Sequence, residues 1–390
     1  MAELSRQLVS AHGHDVTVST TTALSTADFR HPGSPELARG ETWEEGVRVR
    51  RHRVVKQLGA HMHRVQEAAY GRRLPGSGLV RTVYEGPLSP GMARDAAREP
   101  ADLIAATAFP LAHMHLATLA ARVRGLPIVL FGALHPEDHW GFDRDVIRRS
   151  VRAATAYAAY TRYEAEYVVS LGLAPARVHV VPPGVDAAPF ARAAGGQRPA
   201  GEPVVGFFGQ MTAHKGLLDL LAAMRIVWER VPAARLVIAG ARRVGTGLVE
   251  EAVRALPEHQ RARVQVETDV PEARKPELFA SFDVFASPSA FESFGITFLE
   301  AWAAGLPIVG CRVGAVASVV SEGVDGLLVE PGEPVQLAAA LERLLADPEE
   351  RRRLGESGRQ SVLARHSWPA VTAQVAGLYE SLAGVAPTRS

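Results

Sequence analysis

Two runs of consecutive apolar residues, VVGFF at 204–208 and LVIAG at 236–240 (within RLVIAG), constrain this fold more than any other feature of the chain. A strand wetted on one face alternates apolar and polar side chains, so unbroken runs mark strands covered on both faces. Similar short stretches recur at 15–19, 47–51, 103–105, 128–131, 178–181, 264–267, 284–287, 308–310 and 326–329. Helix-like segments lie between them, at 217–230, 247–255, 297–304 and 334–346. Strands alternating with helices of this length predict βαβ units and parallel sheets.

The chain has 390 residues, which suits two cores rather than one. The Pro/Gly/Ala-rich stretch 182–203, with PPGVD and ARAAGGQRPAGEP, predicts the boundary. The expected domains are 1–185 and 186–366. A closing segment, 367–390, holds one amphipathic helix (368–382) that packs back on the first domain. The expected fold class is α/β, two Rossmann-like domains facing a central cleft, with ligands at the carboxyl ends of strands.

A net charge of +1 gives no global field to attract nucleic acid, and none is expected as a partner. The single cysteine, Cys311, excludes an internal disulfide and a cysteine-built zinc site and fits a reducing cytoplasm. The sequence has neither a signal-peptide core at its start nor 18 consecutive apolar residues, so no membrane span is expected. Only Lys56, Lys215 and Lys275 are lysines among 43 basic residues, so a lysine inside a motif carries weight.

Two segments carry chemistry. In VVGFFGQMTAHKGLLDLL the strand ends at Gly209, and Lys215-Gly216 opens a helix. Free N–H groups and the positive end of the dipole at that helix start suit a phosphate, and Lys215 adds a mobile charge. Solvation alone explains a lysine at a helix start equally well. In DVFASPSAFESFGITFLEAWAAGLPIVG a strand ends in a Ser-Pro-Ser turn before a helix from about Ile296, with Glu292 in the turn and Glu300 near the second helical turn. Gly295 permits close backbone approach to a ligand, and the carboxylates can accept hydrogen bonds from sugar and ribose hydroxyls. Taken singly, each is as readily a solvated glutamate.

Together the two segments resemble glycosyltransferase family 4, a retaining family with the GT-B double-Rossmann fold. The resemblance rests on Glu292 and Glu300 separated by seven residues with ESFG between, LEAWAAGLPIVG after it, and HKG upstream. PPGVD, RLVIAG and GVDGLLV extend it. It implies that Lys215 contacts the donor diphosphate, Glu292 the transferred sugar, and Glu300 the ribose. Backbone amides around Phe294, Gly295 and Ile296 would approach the phosphates, with Gly209 and Gln210 completing the donor site. Gln210 stands where many relatives carry an arginine, and GAVAS (314–318) also departs from the pattern.

The resemblance also implies a catalytic histidine after a strand of the first domain, near the donor sugar and the reacting centre, which here is His135, with His139 nearby. His113 and His115 read as structural, since no third metal ligand stands at zinc spacing. Asp143-Arg144-Asp145 mimics a manganese-binding triplet, but it opens a helix read at 146–160, where acids are favoured anyway. No metal and no cofactor are expected. The basic residues Arg48, Arg50, Arg51, Arg53, Lys56, Arg64, Arg72 and Arg73 suit an anionic lipid or a phosphorylated acceptor, or simply a solvated basic face. The expected partners are a nucleotide-sugar donor and a glycan, lipid-linked or small-molecule acceptor. Peripheral contact with the inner membrane face is part of that expectation.

LSRQLVSAHGHDVTVST matches the first helix and second strand of such a domain, without the earlier strand and glycine-rich loop. The expectation is a late start or a truncated chain, with neighbouring strand edges left unpaired. The reading is a glycosyltransferase working with retention. The alternatives are a nucleotide-sugar epimerase and a non-catalytic nucleotide-binding remnant. A dehydrogenase fits less well, because the glycines at 240–247 do not form GxGxxG.

Overall fold

The computed structural model describes residues 1–195, 201–243 and 246–384, without the side chains of 57–61 and 139–140. Part of the boundary stretch, part of the 240–247 glycine cluster and the His139 side chain therefore lie outside the described residues. The chain divides into two compact units, Met1–Pro182 with Val371–Ser390, and Pro183–Ala370.

The first unit holds two sheets. One contains β1 (Thr17–Thr21), β2 (Gly40–Glu44) and β3 (Val47–His52) in the order β1-β3-β2, with β1 parallel and β2 antiparallel to β3. The other, wholly parallel, runs β4 (Ile104–Ala106), β5 (Ile128–Phe131), β6 (Ala156–Ala159) and β7 (Val178–Val180) in chain order. Among the described residues, β1 and β4 each keep one edge without a strand partner. The helix Trp368–Ala383 contributes Tyr379, whose ring meets Phe131 edge-on, and Thr372, which hydrogen-bonds Gln7.

One sequence expectation fails in this unit, and one strand went unread. The helix read at 146–160 ends at Ala153, and residues 156–159 are a fully buried strand. Ala-Tyr-Ala-Ala carries no β-branched residue to announce a strand; it is one because β5 and β7 bind it on both sides. The hairpin strand β2 (GETWE) escaped notice for the opposite reason, being exposed throughout. His113 and His115 lie within the helix Ala112–Arg124. His113 hydrogen-bonds the Thr107 carbonyl at 2.7 Å and His115 the Ser150 hydroxyl at 2.7 Å. Burial, then the nearby Arg144 charge, lowers the His115 pKa to about 4.

The second unit is one parallel sheet of β8 (Val204–Phe208), β9 (Arg235–Gly240), β10 (Val264–Thr268), β11 (Val284–Ser287), β12 (Ile308–Cys311) and β13 (Gly326–Val329). Their spatial order is β10-β9-β8-β11-β12-β13. The first three strands run one way from β8 and the last three the other way. This is the doubly wound order, whose reversal between β8 and β11 opens a crevice at the strands' carboxyl ends. The helix Leu217–Arg230 buries Leu217, Leu220, Leu221, Met224, Val227 and Trp228 at three- and four-residue spacing in the core of this sheet. Truncating any one of these large apolar side chains to alanine costs about 2–5 kcal/mol. The helix carrying the Lys215 loop therefore rests on a rigid base.

Candidate active site

The loops after β8 and β11 meet at the reversal point. Past its last residue β8 continues its ladder: the Gly209 N–H donates to the Ala239 carbonyl, and the Met211 N–H to that of Ala241. The chain then makes a short 3-10 turn, Ala213–Lys215, and Gly216 caps the helix that follows. Gly216 has φ +68°, and a Cβ there would sit 2.0 Å from the Pro288 carbonyl oxygen. Only glycine lets the two loops press together. The Ala290 N–H donates to the His214 carbonyl at 2.8 Å, and the His214 and Phe291 rings stack at 4.5 Å.

This closeness joins two residues 77 positions apart: Lys215 Nζ lies 2.5 Å from Glu292 Oε2. The sequence singled out both without pairing them. Both side chains are mostly buried, at 16% and 17% exposed, so the pair is only partly wet. Gln210 is exposed on the loop after β8.

The helix Ile296–Ala303 begins just beyond, capped by Gly295 at φ +85°. A Cβ at Gly295 would lie 2.5 Å from the Phe298 ring. The first amides of a helix have no partner inside it, so this start offers donors and the positive dipole end. Ile296 is half exposed there, whereas Phe294 is buried against the His366 ring at 5.7 Å.

Glu300 is buried one turn into that helix. Its Oε1 accepts from Lys275 Nζ at 2.9 Å, and Oε2 has no hydrogen-bond partner among the described residues. Burial pushes its carboxyl above the usual range, and the Lys275 ammonium offsets that only in part. Burial pulls Lys275 down, but Glu300 and Glu272 outweigh it and leave its pKa raised. Lys275 also sits 5.1 Å from the centre of the Phe208 ring. Lys275 and Phe208 escaped sequence reasoning. The one available signal was that Lys275 is a rare lysine in an arginine-rich chain.

His135 belongs to the first unit, half-buried in the loop after β5, with its ring 5.1 Å from Phe142. Glu164 fixes this loop: its carboxylate accepts from the Leu134 N–H at 2.8 Å, the Tyr160 N–H at 2.8 Å and the Tyr157 hydroxyl at 2.7 Å. In the acidic triplet, Asp143 and Asp145 both pair with Arg148, and the wholly buried Arg144 pairs with Glu85. Among the described residues no group of three or more His, Cys, Asp or Glu is placed to hold a metal ion. No described helix is long and apolar enough to cross a membrane.

The packing of Phe294 makes one expectation about pH. Burial, then Arg365, lowers His366 to about 4 from its ordinary 6.5. A histidine depressed in the folded state is neutral there but protonates when unfolded, so stability falls as pH drops from 6.5 towards 4. Between pH 7 and pH 5, His366→Leu loses about 2 kcal/mol less than the parent chain. Urea unfolding at the two pH values measures this. Equal losses in both chains refute it.

Comparison with known proteins follows the same lines. Residues 1–188 match the model for Glycosyltransferase Family 4, and residues 193–361 that for Glycosyl transferases group 1. A D-inositol 3-phosphate glycosyltransferase of Segniliparus rotundus is 36% identical over 226 residues, which is 54% of this chain and 49% of the relative. The chain spans about half to three-fifths of the length of the first curated relatives it matches. Sucrose-phosphate synthase from Thermosynechococcus elongatus shares the fold with a TM-score of 0.70 at 23% identity, over 98% of this chain and 92% of that one. Anabaena HepE in complex with UDP-glucose does so with a TM-score of 0.64 at 18% identity, over 94% and 100%. With family models over both halves and the GT-B fold of these solved structures, the chain belongs to glycosyltransferase family 4.

Proposed function

We propose that the chain transfers a sugar from a nucleoside-diphosphate sugar to an acceptor hydroxyl, with retention of the anomeric configuration. The observation that carries this reading is the convergence, at the reversal of the second sheet, of Lys215, Glu292 and the start of the helix Ile296–Ala303. A diphosphate at that helix start would meet unpaired amides and a lysine able to leave Glu292 for it. Glu292 is then free to accept hydrogen bonds from the sugar, and the unpaired Glu300 Oε2 to accept one from a ribose hydroxyl. In this reading Lys215, Gln210 and the oriented amides stabilise the leaving diphosphate. The acceptor attacks from the same face, and a leaving-group oxygen takes its proton. His135, from the first domain, is assigned to the reacting centre near the donor sugar. Lys215 and the helix dipole supply the positive charge, so the reading has no metal in it.

UDP is the first nucleotide to try, since the Anabaena structure above holds UDP-glucose. The test is thermal unfolding with UDP, GDP or ADP, followed by product analysis with the matching sugar nucleotide in EDTA. A nucleotide at 100 times its dissociation constant adds roughly 2.7 kcal/mol of stability. One nucleotide should raise the melting temperature, and EDTA should leave transfer intact. A melt indifferent to all three nucleotides overturns the donor site, and an isomerised sugar nucleotide formed without acceptor replaces transfer by epimerisation.

A further inference from the structure

The basic stretch from Arg48 onward is not uniform. On β3, Arg48 pairs with Glu99 at 2.5 Å, Arg50 with Glu41 at 2.7 Å and with Glu99, and Arg51 with Glu44. Those arginines are neutralised within the sheet and its neighbours. Just past the carboxyl end of β3 the pattern changes. Arg53 is exposed and has no ion-pair partner among the described residues, and the same holds for Arg39 on the facing loop.

An open cavity of about 520 Å³ is lined by Arg39, Arg53, Lys56 and His52 together with Pro90 and Gly91. None of its lining residues is acidic. Lys56 is 8% exposed, and among the described residues its Nζ makes one ion pair, with Glu36 at 2.7 Å. That leaves a buried ammonium with two of its three donors without a partner among the described residues. Thr22 donates to the same Glu36 at 2.8 Å, and Asp95 holds His52 at 2.6 Å, so the acids behind the wall are committed. Pro90 and Gly91, which line the cavity, begin the nine-residue helix Pro90–Arg98; Pro90 has no N–H and the Ser89 hydroxyl accepts from the Met92 N–H, so this start adds the positive dipole end more than free donors. The hydrogen bond from the Val55 N–H to the Leu88 carbonyl, 2.8 Å, ties that helix's approach to the cavity wall.

Two guanidinium groups without an ion-pair partner among the described residues, a buried ammonium and a helix start line a space large enough for a small ligand. We infer that this cavity binds a phosphate monoester, its phosphoryl oxygens taken by Arg39, Arg53 and Lys56. Arginine forks match phosphate oxygens in pairs, whereas a neutral sugar would leave these charges unanswered. The phosphate belongs to the acceptor, and in that assignment the inference rests on the transfer reaction proposed above. The binding itself does not.

The test is calorimetric titration of the full chain with inorganic phosphate at constant ionic strength, in a Lys215→Ala background that removes the donor-site lysine. Parallel sedimentation uses phosphatidylcholine vesicles with and without phosphatidic acid. Saturable one-to-one phosphate binding is expected, weakened about ten-fold in Arg53→Gln and similarly in Arg39→Gln. These exposed positions should not disturb folding. Phosphate binding without retention on vesicles assigns the site to a soluble ester. Arginine-dependent retention on phosphatidic acid vesicles assigns it to a lipid headgroup. No saturable binding of either probe, or binding unchanged in both variants, overturns the inference. Failure of the transferase reading shows separately, as loss of any response to nucleotides with phosphate binding intact.

Discussion

In the proposed reaction, replacing Lys215 by alanine should lower kcat for sugar transfer by about 10²-fold, the scale seen when one donor to a developing oxyanion is removed. The leaving diphosphate gains charge as the glycosidic bond breaks. A cation held at the crevice stabilises that charge more in the transition state than in the bound donor, so the loss falls on kcat more than on KM. The ion pair with Glu292 at 2.5 Å shows where the ammonium rests before a donor arrives. Alanine leaves Glu292 without its cation, at a folding cost of about 1–3 kcal/mol. Steady-state kinetics must therefore be run well below the variant's melting temperature. Lys215→Arg restores charge but not shape, and should recover only part of the rate. A kcat within two-fold of the parent for Lys215→Ala would falsify the assignment of this lysine to the leaving group.

What the sequence disclosed about the site, and what it hid, has a physical pattern. β5, β8, β11 and β13 were legible to the residue, because branched and aromatic side chains at buried strands leave unbroken apolar runs. β6 was not: AYAA takes its identity from flanking strands far away in sequence, and local composition read it as helix. Glu292, Gly295 and Glu300 stood out because they cluster within nine residues around a strand-turn-helix transition. The Lys215–Glu292 pair was invisible because only the crossover between β8 and β11 brings the two loops together. The same holds for the basic stretch, whose charges looked alike in the sequence. Neighbouring acids on β2 and on the helix Pro90–Arg98 neutralise the strand arginines and leave Arg53 without an ion pair among the described residues.

Lys275→Met should cost the second unit more stability than any charge-removing change at its surface. The Lys275 and Glu300 side chains are 11% and 9% exposed and lie 2.9 Å apart. Removing one partner of a buried pair leaves the other's charge without compensation, at a cost of about 3–5 kcal/mol. For a domain of this size that lowers the melting temperature by about 6–20 °C. Glu272 cannot compensate: it is an exposed acid that loses its own pair with Lys275 in the same substitution, and its charge raises the Glu300 carboxyl further. The pH dependence identifies the cause. Burial already raises the Glu300 pKa, and loss of Lys275 removes the charge that holds it down, so the folded value climbs further. A carboxyl raised in the folded state contributes stability that is present below its unfolded pKa and lost as pH rises through its folded one. Lys275→Met should therefore be most destabilised near pH 8 and recover towards pH 5. Adding Glu300→Gln, which removes the orphaned charge, should restore much of the loss at pH 8. Calorimetric melts of the parent, the single variant and the double variant at the two pH values decide it. A single variant melting within two degrees of the parent at pH 8 means the pair is not a charged, buried one, and Glu300 is then free to serve the donor without Lys275.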